Sequence, residues 1–155
     1  MATTQQIRGI SFIPESSNPT QERFINYLMK DGKKTTARKI FGQTLKIISK
    51  KTNSDPEEVF RKAIDNIKPQ MEVKPKRIGG AVYQIPLEVN GDRQLALAFR
   101  WILKAAREKK GAPMSQRLAN ELVEASNEQG SAIKKKLDTA KMAAANKAFA
   151  HFAKY

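Results

Sequence analysis

Apolar residues fall into helical spacings along most of this chain and into an alternating, β-rich run only once. Three helical segments precede that run. The first is predicted to start at Asn18, an N-cap with Pro19 in the first helical position and Gln21 at capping-box spacing. It buries Phe24, Ile25, Leu28 and Met29 until Gly32 ends it. The second, from about Thr36 to Lys51, keeps Ala37, Ile40, Phe41, Leu45 and Ile48 on one face. The third opens on Asp55-Pro56-Glu57-Glu58, where Asp55 caps and Glu58 reciprocates, and packs Val59, Phe60, Ala63, Ile64 and Ile67 until Pro69 stops it.

The single β element runs from Met71 to Val89. Its halves, Met71 to Ile78 and Ala81 to Val89, meet at Gly79-Gly80, a pair able to take the positive φ angles of a two-residue hairpin turn. Pro75 and Pro86 remove backbone donors and would be disfavoured in a central strand, so the pattern predicts a free two-stranded ribbon. Lys74, Lys76 and Arg77 crowd its tip. An isolated ribbon is marginal in water, and a basic one makes most sense when ordered against a polyanion. The competing reading is a flap folded back on the helices with its lysines solvated.

After the ribbon, Asn90-Gly91-Asp92 reads as a turn and cap. A fourth helix from Arg93 to about Lys109 buries Leu95, Leu97, Ala98, Trp101, Ile102 and Ala105, with Trp101 as core packing rather than a base-stacking platform. Ser115 is predicted to cap a fifth helix, with Leu118, Leu122 and Val123 inward and Glu121, Glu124 and Glu128 outward, closed by Gly130. The last helix starts near Ser131 and carries Lys134-Lys135-Lys136, then Leu137, Met142, Ala145, Phe149 and Phe152, towards a short aromatic tail. The expected fold is mainly α: a bundle of about six helices with one protruding β-hairpin arm, 71–89, between helices three and four. Residues 1–17 are expected to form a flexible tail and 18–155 a single domain.

Charge adds the partner. The 155 residues include 29 Lys and Arg against 15 Asp and Glu, a formal charge of +14, which places nucleic acid first and anionic membrane second. No run approaches the roughly 18 consecutive apolar residues that span a bilayer, so no membrane partner is expected. The first twenty residues hold only Arg8 and Glu15 as charges, unlike a transit peptide, and a cytoplasmic location is expected. The absence of Cys excludes disulfides and thiolate sites. The positive charge is also localised. From Lys30 to Lys51 there are eight basic residues and one acid, Asp31, whereas solvated helices ordinarily mix both signs. The third helix reverses the balance. A second basic surface comprises Arg93, Arg100, Lys104, Arg107, Lys109 and Lys110, and a further cluster is Lys134, Lys135 and Lys136.

Little is available for catalysis. His151 is the only histidine, Asp31-Gly32-Lys33-Lys34 lacks the upstream glycine and preceding strand of a P-loop, and Glu57 and Glu58 are explained by helix capping. No catalytic residue, metal or cofactor is expected. The charge pattern leaves two further readings, a DNA-bending architectural protein and an RNA-modifying enzyme. A DNA-bending architectural protein also grips with a basic β-ribbon, and would be recognised by preference for duplex DNA over structured RNA. An RNA-modifying enzyme would need a general base that the sequence barely offers, and unchanged function in His151→Ala would remove that reading.

Several short patterns in fixed order carry a resemblance. They are Asn18, Phe24-Ile25, Gly32-Lys33-Lys34, Ile40-Phe41 and Thr44; Asn66-Ile67-Lys68-Pro69 with Met71-Glu72-Val73; and Arg77-Ile78-Gly79-Gly80-Ala81 with Tyr83-Gln84 and Pro86. Arg100-Trp101, Leu118-Ala119-Asn120-Glu121-Leu122, Lys134-Lys135-Lys136, Met142-Ala143 and Ala145 through His151 complete the set. From about Asn18 onwards the chain resembles the universal small-subunit ribosomal protein seven family, in its bacterial or organellar form. The resemblance implies a protein that binds the 3′ major domain of small-subunit rRNA and nucleates assembly of the subunit head. It implies a place near the tRNA exit site and the mRNA exit path, among other head and platform proteins, and not as a homo-oligomer. Lys33, Lys34 and Arg38, with Lys74, Lys76 and Arg77 on the arm, become rRNA phosphate contacts. The predicted rRNA-binding set is completed by Lys39 and the two later basic clusters. Gly79 and Gly80 become the arm tip near exit-site tRNA, with Tyr83 beside it. The arm has Lys74 and Lys76 where the family commonly has a denser Arg run, so binding should lean on summed charge and be steep in salt.

Overall fold

Three side-chain caps set the start of three helices. In the computed structural model, which describes residues 13–15 and 17–154, Asn18 Oδ1 accepts from the Gln21 amide at 2.9 Å and opens α1, Pro19–Leu28. Asp55 Oδ1 accepts from the Glu57 amide at 3.1 Å and opens α3, Pro56–Ile67. Asn90 Oδ1 accepts from the Arg93 amide at 3.0 Å and opens α4, Gly91–Glu108. Each satisfies an amide that the first turn of a helix leaves unpaired. The expected flexible tail falls mostly outside the described residues.

α1 stops before its expected glycine. Met29 leaves helical geometry, and Asp31 and Gly32, at φ 54° and 69°, instead turn the chain so that the Lys33 amide bonds the Lys30 carbonyl at 3.0 Å. α2 follows at once, Lys34–Thr52. α5, Met114–Ser126, is preceded by Pro113 rather than capped by Ser115, whose side chain is buried. α6 spans Ser131–Ala145 and a 3₁₀ helix spans Lys147–Lys154.

The core is an aromatic knot inside the helices. Phe24 of α1 lies 5.6 Å from Phe41, 5.2 Å from Phe60 and 5.1 Å from Phe99, ring centre to ring centre, mostly edge-on as ring quadrupoles favour. Ile48, Ile67, Ile102, Leu118 and Leu122 surround it, fully buried. Phe99 is the member that helical periodicity did not single out, and Trp101, expected in the core, packs against its edge half-buried. The acids that open α3, Asp55, Glu57 and Glu58, line a groove with Asn18, Pro19 and Thr20 at the start of α1.

The arm is the antiparallel pair β1, Met71–Ile78, and β2, Ala81–Glu88, in register from Met71 opposite Glu88 to Ile78 opposite Ala81. Gly79 and Gly80, at φ 57° and 86°, supply the two positive angles of the turn. Ile85 and Val89 are buried at its root, and Val82 near the tip is 63% exposed. The ribbon is not free on both faces. Strand alternation places Lys76 and Tyr83 together, and on that face Tyr83 meets Phe149 and Phe152 of the 3₁₀ helix at 5.1 and 5.5 Å. The arm therefore combines the two readings of the sequence: an exposed tip, with one face braced by the C-terminal segment.

Candidate RNA-binding surface

At the α1–α2 junction one buried acid organises two of the predicted contacts. Glu22, its side chain 1% exposed, receives Arg38 Nη2 at 2.7 Å and faces Lys34 Nζ at 3.5 Å. Burial alone would push the Glu22 carboxyl up. The bonds from Arg38 and Ser17, with the charges of Arg38 and Lys34, outweigh that and hold it below the usual carboxylate range. Arg38 is thus pinned to the fold, whereas Lys33 and Lys39 are exposed and carry no acidic partner among the described residues.

The arm root repeats the arrangement. Glu72 accepts from Lys74 at 3.0 Å and from Arg93 at 3.1 Å, tying β1 to α4. Burial alone would raise the Glu72 carboxyl, but the bonds from Lys74 and Arg93, with their charges, outweigh that and hold it below the usual carboxylate range. Lys76 Nζ donates to the Phe152 carbonyl at 3.4 Å. Arg77, Gly79 and Gly80 are exposed at the tip. Tyr83, predicted beside the tip, is half-buried against the 3₁₀ helix.

On α4 the predicted residues divide. Arg100 sits over the Tyr27 ring at 5.8 Å and remains exposed, and Lys104 pairs loosely with Glu108 at 3.8 Å on the surface. Arg107 Nη2 donates to the Leu28 carbonyl at 3.3 Å. Lys109 turns inward between Glu121 at 2.8 Å and Glu124 at 2.9 Å, leaving Lys110 exposed. Burial lowers the Lys109 ammonium, but its bonds to the two carboxylates and their charges raise it above the ordinary lysine range. Glu121, expected on the outside, is completely buried. Its other oxygen accepts from the Ala132 amide at 2.9 Å, so α5 supplies the cap that α6 lacks locally. The fit leaves no room at Gly130, which has φ 96° and where a Cβ would stand 3.0 Å from oxygens of Glu121 and Glu124. One turn later Lys134 and Lys135 are exposed, while Lys136 Nζ donates to the Asn66 carbonyl at 2.6 Å. Lys46 and Lys50 on α2 are further exposed cations outside the predicted set, marked in the sequence only by their place in the basic run.

Exposed cations thus occur on the α1–α2 turn, α2, the arm, the α4–α5 loop and α6. No group of three His, Asp or Glu side chains able to hold a metal occurs among the described residues, nor is any helix among them long and apolar enough to cross a membrane. A profile of the ribosomal protein S7p/S5e family matches residues 3–147. The chain belongs to that family. Curated S7p/S5e relatives include the small ribosomal subunit protein uS7 of Thermotoga petrophila, 51% identical over 147 residues covering 95% of each chain. Those of Sulfurovum sp. and Colwellia psychrerythraea are 56% and 50% identical, over 94% and 90% of this chain and 94% and 89% of their own. Membership makes this a small-subunit ribosomal protein.

Proposed function

We propose that the protein binds the 3′ major domain of small-subunit rRNA and nucleates assembly of the subunit head, near the tRNA exit site and the mRNA exit path. Other proteins of the small-subunit head and platform are its neighbours there. The observation that supports this is the set of exposed cations without acidic partners among the described residues, Lys33, Lys39, Arg77, Lys110, Lys134 and Lys135, spread over the α1–α2 turn, α2, the arm, the α4–α5 loop and α6. Family membership names the polyanion. Arg38, Arg93, Lys109 and Lys136 orient these elements, and Arg100, Lys104 and Arg107 add charge along α4. Contacts to phosphates and 2′-hydroxyls at several fixed positions read the shape of a folded RNA and release its counterions.

The test is binding of the protein to a transcript of the 3′ major domain, against a scrambled transcript and duplex DNA of equal length, across a salt series. The expected result is preference for the authentic fold that survives at moderate salt. A protein making six to ten phosphate contacts loses roughly 10³–10⁵ in affinity between 50 and 200 mM salt. Equal affinity for all three, collapsing together as salt rises, would overturn the reading, and preference for duplex DNA would favour an architectural DNA-binding role.

A further inference from the structure

A second aromatic group lies outside the core, between the arm and the C-terminal 3₁₀ helix. Tyr83 faces Phe149 and Phe152, whose rings are 6.3 Å apart and nearly parallel at 16°. Those three rings are half-buried and account for one another: together they brace the arm. His151 is different. It is exposed, and its ring rests 4.1 Å from that of Phe152 alone. His151 Nδ1 lies 3.0 Å from the Ala148 carbonyl, an oxygen that can only accept, so that nitrogen carries the proton and the ring is held in place. The brace would be as well made without it.

The two chain segments that meet here are rich in cations. From Val73 to Leu87 and from Thr139 to Lys154 there is no Asp or Glu, and the two stretches contribute Lys74, Lys76, Arg77, Lys141, Lys147 and Lys154. Lys76 holds the Phe152 carbonyl, which ties the charge to the rings. An exposed aromatic ring, held by a hydrogen bond and set among cations, is the combination that binds unpaired nucleotides. The cations track the phosphates and the ring takes the face of a base, with little sequence preference because every base has one.

We infer that His151, backed by Phe152, is a stacking platform for an unpaired base of single-stranded RNA. This rests on the RNA-binding reading above and gives one part of the surface a ligand class of its own, a single strand rather than a folded junction. Such stacking changes affinity by about five- to a hundredfold per base. The rigidity of the ring, bonded to Ala148 and seated on Phe152, lowers the ordering cost of binding.

The experiment uses the full chain and a short single-stranded RNA containing 2-aminopurine, whose fluorescence is quenched on stacking. The wild-type protein should quench the probe, His151→Ala should abolish quenching and weaken binding about tenfold, and His151→Tyr should restore both. Unchanged quenching and affinity in His151→Ala would overturn the inference, as would failure of His151→Tyr to recover what His151→Ala loses. Hydrogen exchange of the arm amides, equal in all three proteins, shows that the brace is intact. The wild-type protein's choice between authentic and scrambled transcripts tests the parent reading separately, so either can fail while the other stands.

Discussion

The junctions of the helical body and the arm with its C-terminal brace use the same residue types to opposite ends. In the body, Glu22 and Glu121 are buried, and Arg38 and Lys109 are drawn in to meet them. From Val73 to Leu87 and from Thr139 to Lys154 the sequence has no acid, although Glu72 at the arm root still holds Lys74. A lysine in this protein is therefore structural where a buried carboxylate, as for Lys109, or a backbone carbonyl, as for Lys136, stands within reach, and its place in a basic run does not decide the matter.

Removing the deepest acid should have the largest effect on stability. Glu121→Ala leaves the Ala132 amide without its acceptor and Lys109 with only the half-exposed Glu124, and is expected to lower unfolding stability by about 2–4 kcal/mol. Urea denaturation measures it. Glu121→Gln, which keeps an acceptor, should cost less; equal costs would mean that the charge and not the cap matters.

Glu22→Gln comes next, at roughly 1 kcal/mol, because its partners are about one-third exposed. The pH dependence carries the sign. The folded-state pKa of Glu22 is depressed, so its contribution is present above the unfolded value of about 4.5 and is lost as pH falls through the lower folded one. Melting temperatures followed from pH 6 down to pH 3 should fall less steeply in Glu22→Gln than in the wild type. Parallel curves would assign the acid sensitivity to other carboxylates.

The smallest effect on stability belongs to Lys134→Glu with Lys135→Glu, within about 0.5 kcal/mol, since neither side chain has a partner among the described residues. The same pair should weaken binding to the 3′ major-domain transcript at least about tenfold at low salt. A double variant that unfolds easily but binds normally would invert the comparison.

What the sequence made legible was local. The hairpin could be read because alternation and a Gly-Gly turn are complete within nineteen residues, and the caps at Asn18, Asp55 and Asn90 because each bond spans two or three residues. Glu121 could not be read. Its outward polar pattern on α5 is overruled by the start of α6, eleven residues on, which places an unpaired amide over it. The packing of Tyr83 could not be read for a similar reason: its partners lie more than sixty residues away, in a segment whose return to the arm no local pattern announces. Gly32 had the right conformation in the wrong role, since Met29 had already ended the helix. The basic surfaces were legible as a partner class, but sorting them required knowing which acids are buried.

The acids that open α3 sit beside the start of α1, while Lys33 follows its far end. Ten helical residues separate those ends by about 15 Å, more than the roughly 8 Å over which salt screens charge in a cell. The two poles thus act on an approaching polyanion almost independently. In dilute salt they should turn the molecule before it touches, raising the rate of productive encounter. At physiological salt that advantage fades, and association slows much more than dissociation quickens.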